Sequence, residues 1–187
     1  DYLKPWPREM YATLVNRLKE EGAKGVVFDV LFTHASDNPE ADKEFTKAME
    51  EFGNVILGAD FVKNTKTLSV GDGINLISPY EPFDAVIWDI GAVETFPDND
   101  STVRKHFIHD PDDVFSSLSW AAAEMVELPI TKNQTAKFKS KFINYNGSPM
   151  EVIHSLGIHK AVPEPLRGTE YHKECPKGFF KDKMVFV

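Results

Sequence analysis

The sequence predicts an α/β fold: a single domain with a mostly parallel or mixed central sheet flanked by helices, plus an antiparallel hairpin. Three observations carry this. Residues 26–32, Val-Val-Phe-Asp-Val-Leu-Phe, are β-branched and aromatic on both faces, the pattern of a strand covered above and below as parallel strands usually are. Just before them, Tyr11, Leu14, Val15 and Leu18 recur at i, i+3, i+4, i+7, which is one face of a helix. The same helix-then-strand unit returns at once. Phe45, Ala48, Met49 and Phe52 mark a second amphipathic helix, Gly53 ends it, and residues 54–62 read as a second strand. Two such units with short connections favour parallel pairing through a right-handed crossover.

The elements follow in order. Pro7 suits the start of the first helix, where a missing N–H costs nothing, and Gly22 stops that helix. Residues 33–39 are polar and form a loop. Residues 63–78 are polar, contain glycine and show no period, so they are expected to be an irregular excursion. Phe83, Val86, Ile87 and Ile90 fit a short helix, although residues 85–88 fit a strand equally well by periodicity. Residues 92–96 and 102–109 flank the turn-forming cluster Pro97-Asp98-Asn99-Asp100-Ser101, and they are expected to pair as an antiparallel hairpin. Leu118, Ala121, Ala122 and Met125 form a further helix, with Ser116 and Ser117 at its start and Pro129 beyond its end. Residues 142–145 read as a strand, 150–156 as a short helix, 157–183 mostly as loop, and 184–187 as a final strand. No turn follows Val187, and both ends read as cut, so the natural chain is expected to continue.

Composition narrows the function. The 187 residues are enough for one domain with a sizeable core, and 42% hydrophobic with 27% charged is ordinary for a globular protein. A net charge of −8 and a pI near 5.2 argue against nucleic acid as a partner and against a polybasic membrane surface, both of which need clustered Lys and Arg. The basic cluster Lys132, Lys137, Lys139 and Lys141 is expected to be a solvated loop. No segment approaches the roughly 18 apolar residues of a membrane span. Cys175 is the single cysteine, so no intrachain disulfide can form.

Each group of residues that could carry chemistry falls short of what that chemistry needs. His106 and His109 with Asp110 could supply metal ligands, but the odd spacing in a strand sends the two imidazoles to opposite faces. His172 and Cys175 lack the second pair a zinc site requires. Asp98 and Asp100 are placed like the opening of a calcium loop, without its glycine and distal glutamate, so an Asx-stabilised turn is expected. Asp29 stands where some phosphohydrolases carry a nucleophile, but Leu31 occupies the place of the partner acid. No Gly-x-Ser-x-Gly elbow or phosphate-cradling glycine loop is present. Neither a cofactor nor a metal is therefore expected. Asp29 shares a face with Val27 and Leu31, so the sequence predicts a buried carboxylate paired with Arg8 or Arg104.

The remaining signal is an ordered series of short motifs. These are Trp6-Pro7-Arg8 with its helix, Gly22-Ala23-Lys24 leading into Phe28-Asp29-Val30-Leu31-Phe32, and Asn54-Val55-Ile56-Leu57. Gly91-Ala92-Val93 follows, then Pro97-Asp98-Asn99-Asp100 with Val103-Arg104-Lys105, and Ser117-Leu118-Ser119 opening an Ala-rich helix. Ile143-Asn144-Tyr145 with Gly147 and Pro149, and the stretch 180–187, complete it. In that order, over nearly the whole chain, they resemble the CHASE2 extracytoplasmic sensor domain of bacterial receptors. The sequence departs from that family in having Ser101-Thr102 where a glycine is usual. It also lacks a strand ending in Asp before Trp6 and a Gly-led loop and helix after the last strand.

The resemblance implies a sensor lying outside the cytoplasmic membrane, carried by flanking transmembrane helices. It would drive an adenylate or diguanylate cyclase, a histidine kinase or a Ser/Thr kinase, with no catalysis of its own. Its signal would be an unidentified small molecule or protein, and a homodimer is a possible assembly. In an open α/β sheet the ligand crevice lies beyond the carboxyl ends of the strands, which nominates Asp29, Arg104, Asn144 and Tyr145 as ligand-binding residues. Two rival readings remain: a small hydrolase or metal-dependent enzyme using Asp29 with Asp98 and Asp100, and an interaction module that only fixes dimer geometry.

Overall fold

The computed structural model describes residues 6–63, 74–95, 97–106, 116–137, 139, 141–144, 147, 153, 155–162 and 174–187. Its centre is a parallel sheet. Strand β1 (Gly25–Leu31) lies between β2 (Val55–Lys63) and β7 (Met184–Phe186), and β4 (Asp89–Ala92) pairs with the other side of β2. The parallel order is thus β4-β2-β1-β7. Strand β3 (Ile74–Ile77) runs antiparallel to the second half of β2, with Asp60 opposite Ile77 and Lys63 opposite Ile74. A separate antiparallel pair is formed by β5 (Lys105–His106) and β6 (Lys141–Phe142).

Helices α1 (Arg8–Glu20) and α2 (Pro39–Phe52) cover one face of the sheet, and α4 (Leu118–Met125) covers part of the other. Short helix α3 (Glu81–Asp84) follows β3. The covering matches the period-2 alternation of β1. Val26 and Phe28 join the core under α1 and α2, whereas Val27 packs with Ile56, Leu118, Ala121 and Ala122 under α4. All three are fully buried, as a doubly covered strand requires. Asn38 caps α2 by accepting from the Ala41 amide, Pro39 follows as its first residue, and Gly53 ends the helix at φ 76°, a conformation costly for any residue with a Cβ.

Under α1 and α2 lies an aromatic cluster. Tyr11 and Phe32 stand 5.2 Å apart, Phe32 and Phe45 5.3 Å, and Phe45 and Phe83 5.3 Å, each pair steeply inclined so that ring edges meet ring faces. The Arg8 guanidinium rests 4.3 Å over the Phe32 ring and reaches Asp42 at 3.3 Å. Burial lowers the Arg8 pKa and Asp42 opposes that shift.

The other charged feature of the core is a nearly enclosed pair. Arg17 Nε donates to Glu21 Oε1 at 2.9 Å, and the two side chains keep 5% and 3% of their surface. Arg17 also donates to the carbonyls of Ala161 and of Cys175, the latter at 2.9 Å, while Glu21 Oε2 accepts from the Phe180 amide at 3.2 Å. Segments some 140 to 160 residues away in sequence are thereby bound to α1.

Several expectations are corrected. Asp29 is exposed and has neither of the partners foreseen for it, because Arg8 pairs with Asp42 and Arg104 with Asp98 and Asp100. It does lie on the α4 face, but α4 is eight residues long and does not extend over the carboxyl end of β1. Residues 63–78 are not wholly irregular, since Ile74–Ile77 is a strand. The segment read as helix from Phe83 to Ile90 divides into α3, a turn and the start of β4. The 150–156 helix falls largely outside the described residues, and Phe96 and 107–109 lie wholly outside them.

The hairpin is also rearranged. The expected turn exists, with the Ser101 amide donating to Asp98 O at 2.8 Å and the Asp98 amide to Thr102 O at 2.9 Å. Its two flanks, however, take other partners: of 92–96, Ala92 ends β4, which pairs with β2, and 93–95 are in no strand, while of 102–109, residues 105–106 pair with β6. Arg104 grips this turn with two bonds to Asp100, at 2.8 and 2.6 Å, and one to Asp98 at 3.0 Å. The Arg104 bonds, helped by the Thr102 amide, lower the Asp100 carboxyl to about 2.

Two stability predictions follow from these contacts. Arg17→Met strands a buried carboxylate and is expected to lower the unfolding free energy by about 3–5 kcal/mol, whereas the double variant R17M/E21L loses markedly less. Equilibrium denaturation distinguishes the two, and a single-variant loss under about 1 kcal/mol would mean that the pair is solvated. Ser101 sits at φ 61°, in the left-handed region that favours glycine. Ser101→Gly is therefore expected to gain about 0.5–1 kcal/mol by the same measurement, and a loss would show that the hydroxyl matters more than the backbone.

Candidate functional site

A cleft of about 400 Å³ opens at the carboxyl ends of the parallel strands. Asp29 of β1, Ala92 of β4 with Val93, Glu94 and Thr95 after it, and Phe186 and Val187 form its sheet side. Facing them are Val103, Lys105 and His106, together with Ile143, from the two-stranded sheet and its flanks. Ser117, Leu118 and Ser119, at the start of α4, close the remaining wall. Most of this surface is apolar, with a few convergent polar groups, the usual make-up of a small-molecule site.

Backbone pairing builds the walls. The Asp29 amide donates to Val187 O at 2.8 Å and the Val187 amide to Val27 O at 2.9 Å, so the end of β7 is held beside the end of β1. The Ala92 amide donates to Ser116 O at 2.8 Å, and Ala92 bridges Ser117, which sets the first turn of α4 directly against β4. That approach needs Gly91. A Cβ placed there would lie 2.4 Å from Leu118 Cα and 2.8 Å from its amide nitrogen, inside any tolerable contact with backbone.

The polar cluster joins α4 to the small sheet. Ser117 Oγ caps α4 by accepting from the Trp120 amide at 3.2 Å. Ser119 Oγ lies 2.9 Å and Ser117 Oγ 3.4 Å from His106 Nε2, and the two hydroxyls are 3.3 Å apart. Burial lowers the His106 pKa, which favours the neutral imidazole.

Of the residues nominated from sequence, Asp29 lines the cleft. Arg104 is turned to Asp98 and Asp100, while its neighbours Val103 and Lys105 form the wall. Asn144 is exposed, next to the lining residue Ile143, and Tyr145 lies outside the described residues. Asp98 and Asp100 do not meet Asp29 in this cleft, because Arg104 engages both of them. Among the described residues, no group of three or more His, Cys, Asp or Glu side chains is arranged to hold a metal ion.

Sequence reasoning missed His106, Ser117 and Ser119. Ser117 was legible as a helix cap. His106 reads in the sequence only as a metal-ligand candidate with His109 and Asp110, and nothing local shows that it faces a helix start eleven residues on.

The CHASE2 domain family model matches residues 2–187, and the chain belongs to that family. The CHASE2 domain is an extracytoplasmic sensor domain of membrane receptors and is not itself catalytic. No curated protein and no solved structure matches the chain. Among the described residues, no helix is long and apolar enough to cross a membrane.

Gly91→Ala is expected to force α4 away from β4 and to cost about 1–3 kcal/mol in equilibrium denaturation. Stability equal to the parent's would show that α4 does not approach β4 this closely.

Proposed function

We propose that this CHASE2 domain senses a small-molecule signal in the cleft at the carboxyl edge of its sheet. It would pass the signal, as a shift between two arrangements of the domain, to a cyclase or kinase beyond flanking transmembrane helices. The observation that carries the reading is how the cleft is composed. One wall belongs to the main sheet, and the others to α4 and to a two-stranded sheet held apart from it. A molecule seated there touches both bodies and stabilises whichever arrangement it fits better, the one requirement for a signal to move an equilibrium. The place also follows the rule for open α/β sheets. Asp29 and Ser119 are the proposed ligand contacts. Arg104 supports them indirectly by fixing the turn that precedes β5, and Asn144 and Tyr145 follow the wall residue Ile143. The domain has no catalytic role in this reading, and a receptor homodimer would carry the change onward.

A thermal-shift screen of small metabolites should yield a compound that raises the Tm of the chain, since a ligand specific for the native state stabilises it by mass action. Asp29→Ala, at an exposed carboxylate, is expected to fold with a Tm close to the parent's, Ser119→Ala with a somewhat lower one because it gives up its bond to His106, and each to lose most of that ligand-induced rise. In the full receptor the same variants shift the dose response of the output. An undiminished rise in both variants would move the ligand site off this cleft.

A further inference from the structure

We infer that His106 is a proton-sensitive latch: its neutral imidazole holds the two-stranded sheet against the start of α4 along the cleft, and protonation loosens that hold. This goes beyond ligand sensing and stands whether or not a molecule enters the cleft.

The argument begins with the protons. The Trp120 amide occupies Ser117 Oγ as an acceptor, leaving the Ser117 hydroxyl proton to point onward to Ser119 or His106. In the latch the Ser117 proton goes to Ser119, Ser119 donates to His106 Nε2 across 2.9 Å, and the ring proton sits on Nδ1. The chain from Trp120 through two serines to the imidazole runs in one direction, and each bond polarises the next.

Protonation reverses that order. An imidazolium can only donate at Nε2, so Ser119 must turn its proton away. A positive charge then stands beside the amides of the first turn of α4, the positive end of the helix dipole, where cations are disfavoured. The surrounding charges are mixed. Lys105 is adjacent on β5 and Lys141 is paired opposite on β6, both unfavourable, while Asp29 and Glu94 are the carboxylates in the same cleft. Arg104 is neutralised by Asp98 and Asp100. Half-burial of the ring pushes its pKa down. The sign follows from linkage. A histidine with a folded pKa below its unfolded value, near 6.5, contributes fully above that value. The contribution is lost as the pH falls through the folded pKa.

The test is an NMR titration of the chain, with the ring signals of the six histidines followed from about pH 8 to pH 5 and His106 assigned by its absence in His106→Gln. The expected result is a His106 midpoint below the ordinary value near 6.5, with the amide signals of Ser117, Ser119 and Ile143 moving at the same midpoint. The Tm should fall over the same range more steeply in the parent than in H106Q. A midpoint at or above the ordinary value, or amide signals that stay still while His106 titrates, would overturn the inference. If H106Q fails to fold, triple-resonance assignment of the parent identifies the His106 ring, and the parent spectra decide alone.

Discussion

The Arg17–Glu21 pair is the constraint on which the rest of this structure rests. As a local helix pair it is unremarkable, and its order, Arg before Glu, is the less favourable one along a helix. Its strength comes from what it reaches. Two guanidinium bonds fix the carbonyls of Ala161 and Cys175, and the second carboxylate oxygen fixes the Phe180 amide. Three points of the C-terminal stretch are thereby pinned to α1, which delivers β7 to the open edge of β1. Desolvating two charges is costly, but here nearly every polar atom of the pair has a partner, the condition under which such a pair holds.

The cleft depends on that placement. With β7 in position, Val187 takes the Asp29 amide and the end of β1 is bounded on both sides. On the second face the cause is unequal length. Helix α4 covers Val27 and Ile56 but begins level with Ala92, so the carboxyl ends of the strands have no lid from it. Gly91 makes the close approach possible, and the short approach sets where the covering stops. An apolar core and an open, polar-edged cleft are thus two consequences of one short helix.

This explains which features the sequence revealed. The β1 run, the helical periodicities of α1 and α2 and the Gly53 stop are local patterns, and the structure carries them as read. Asp29 shows the limit. Period-2 alternation tells which face a side chain takes, and on that the reading was right, but burial depends on how far a helix from elsewhere in the chain extends over that face. The same holds for the Asp98–Ser101 turn. Its chemistry is local and present, whereas the strand partners of its flanks are decided by β2 and β6. Arg17 and Glu21 carry no local sign of burial, because charge on an amphipathic helix usually faces solvent. Only the distant carbonyls and amide that receive them reveal otherwise.

The two bodies that meet at the cleft are held with different strength. The parallel sheet has ladders on both sides of β1 and a core of fully buried side chains on each face. The β5–β6 pair has two residues per strand, Phe142 is 74% exposed, and among the described residues the His106 ring joins it to α4 through two serine hydroxyls. Elements with few buried contacts open at lower free energy than the core, and conformational switches are drawn from them. A sensor needs both properties at one place: a wall that does not move, against which binding can be registered, and a wall that does. The carboxyl edge of this sheet brings them together, because there the rigid ladder ends and the lightly held pair begins.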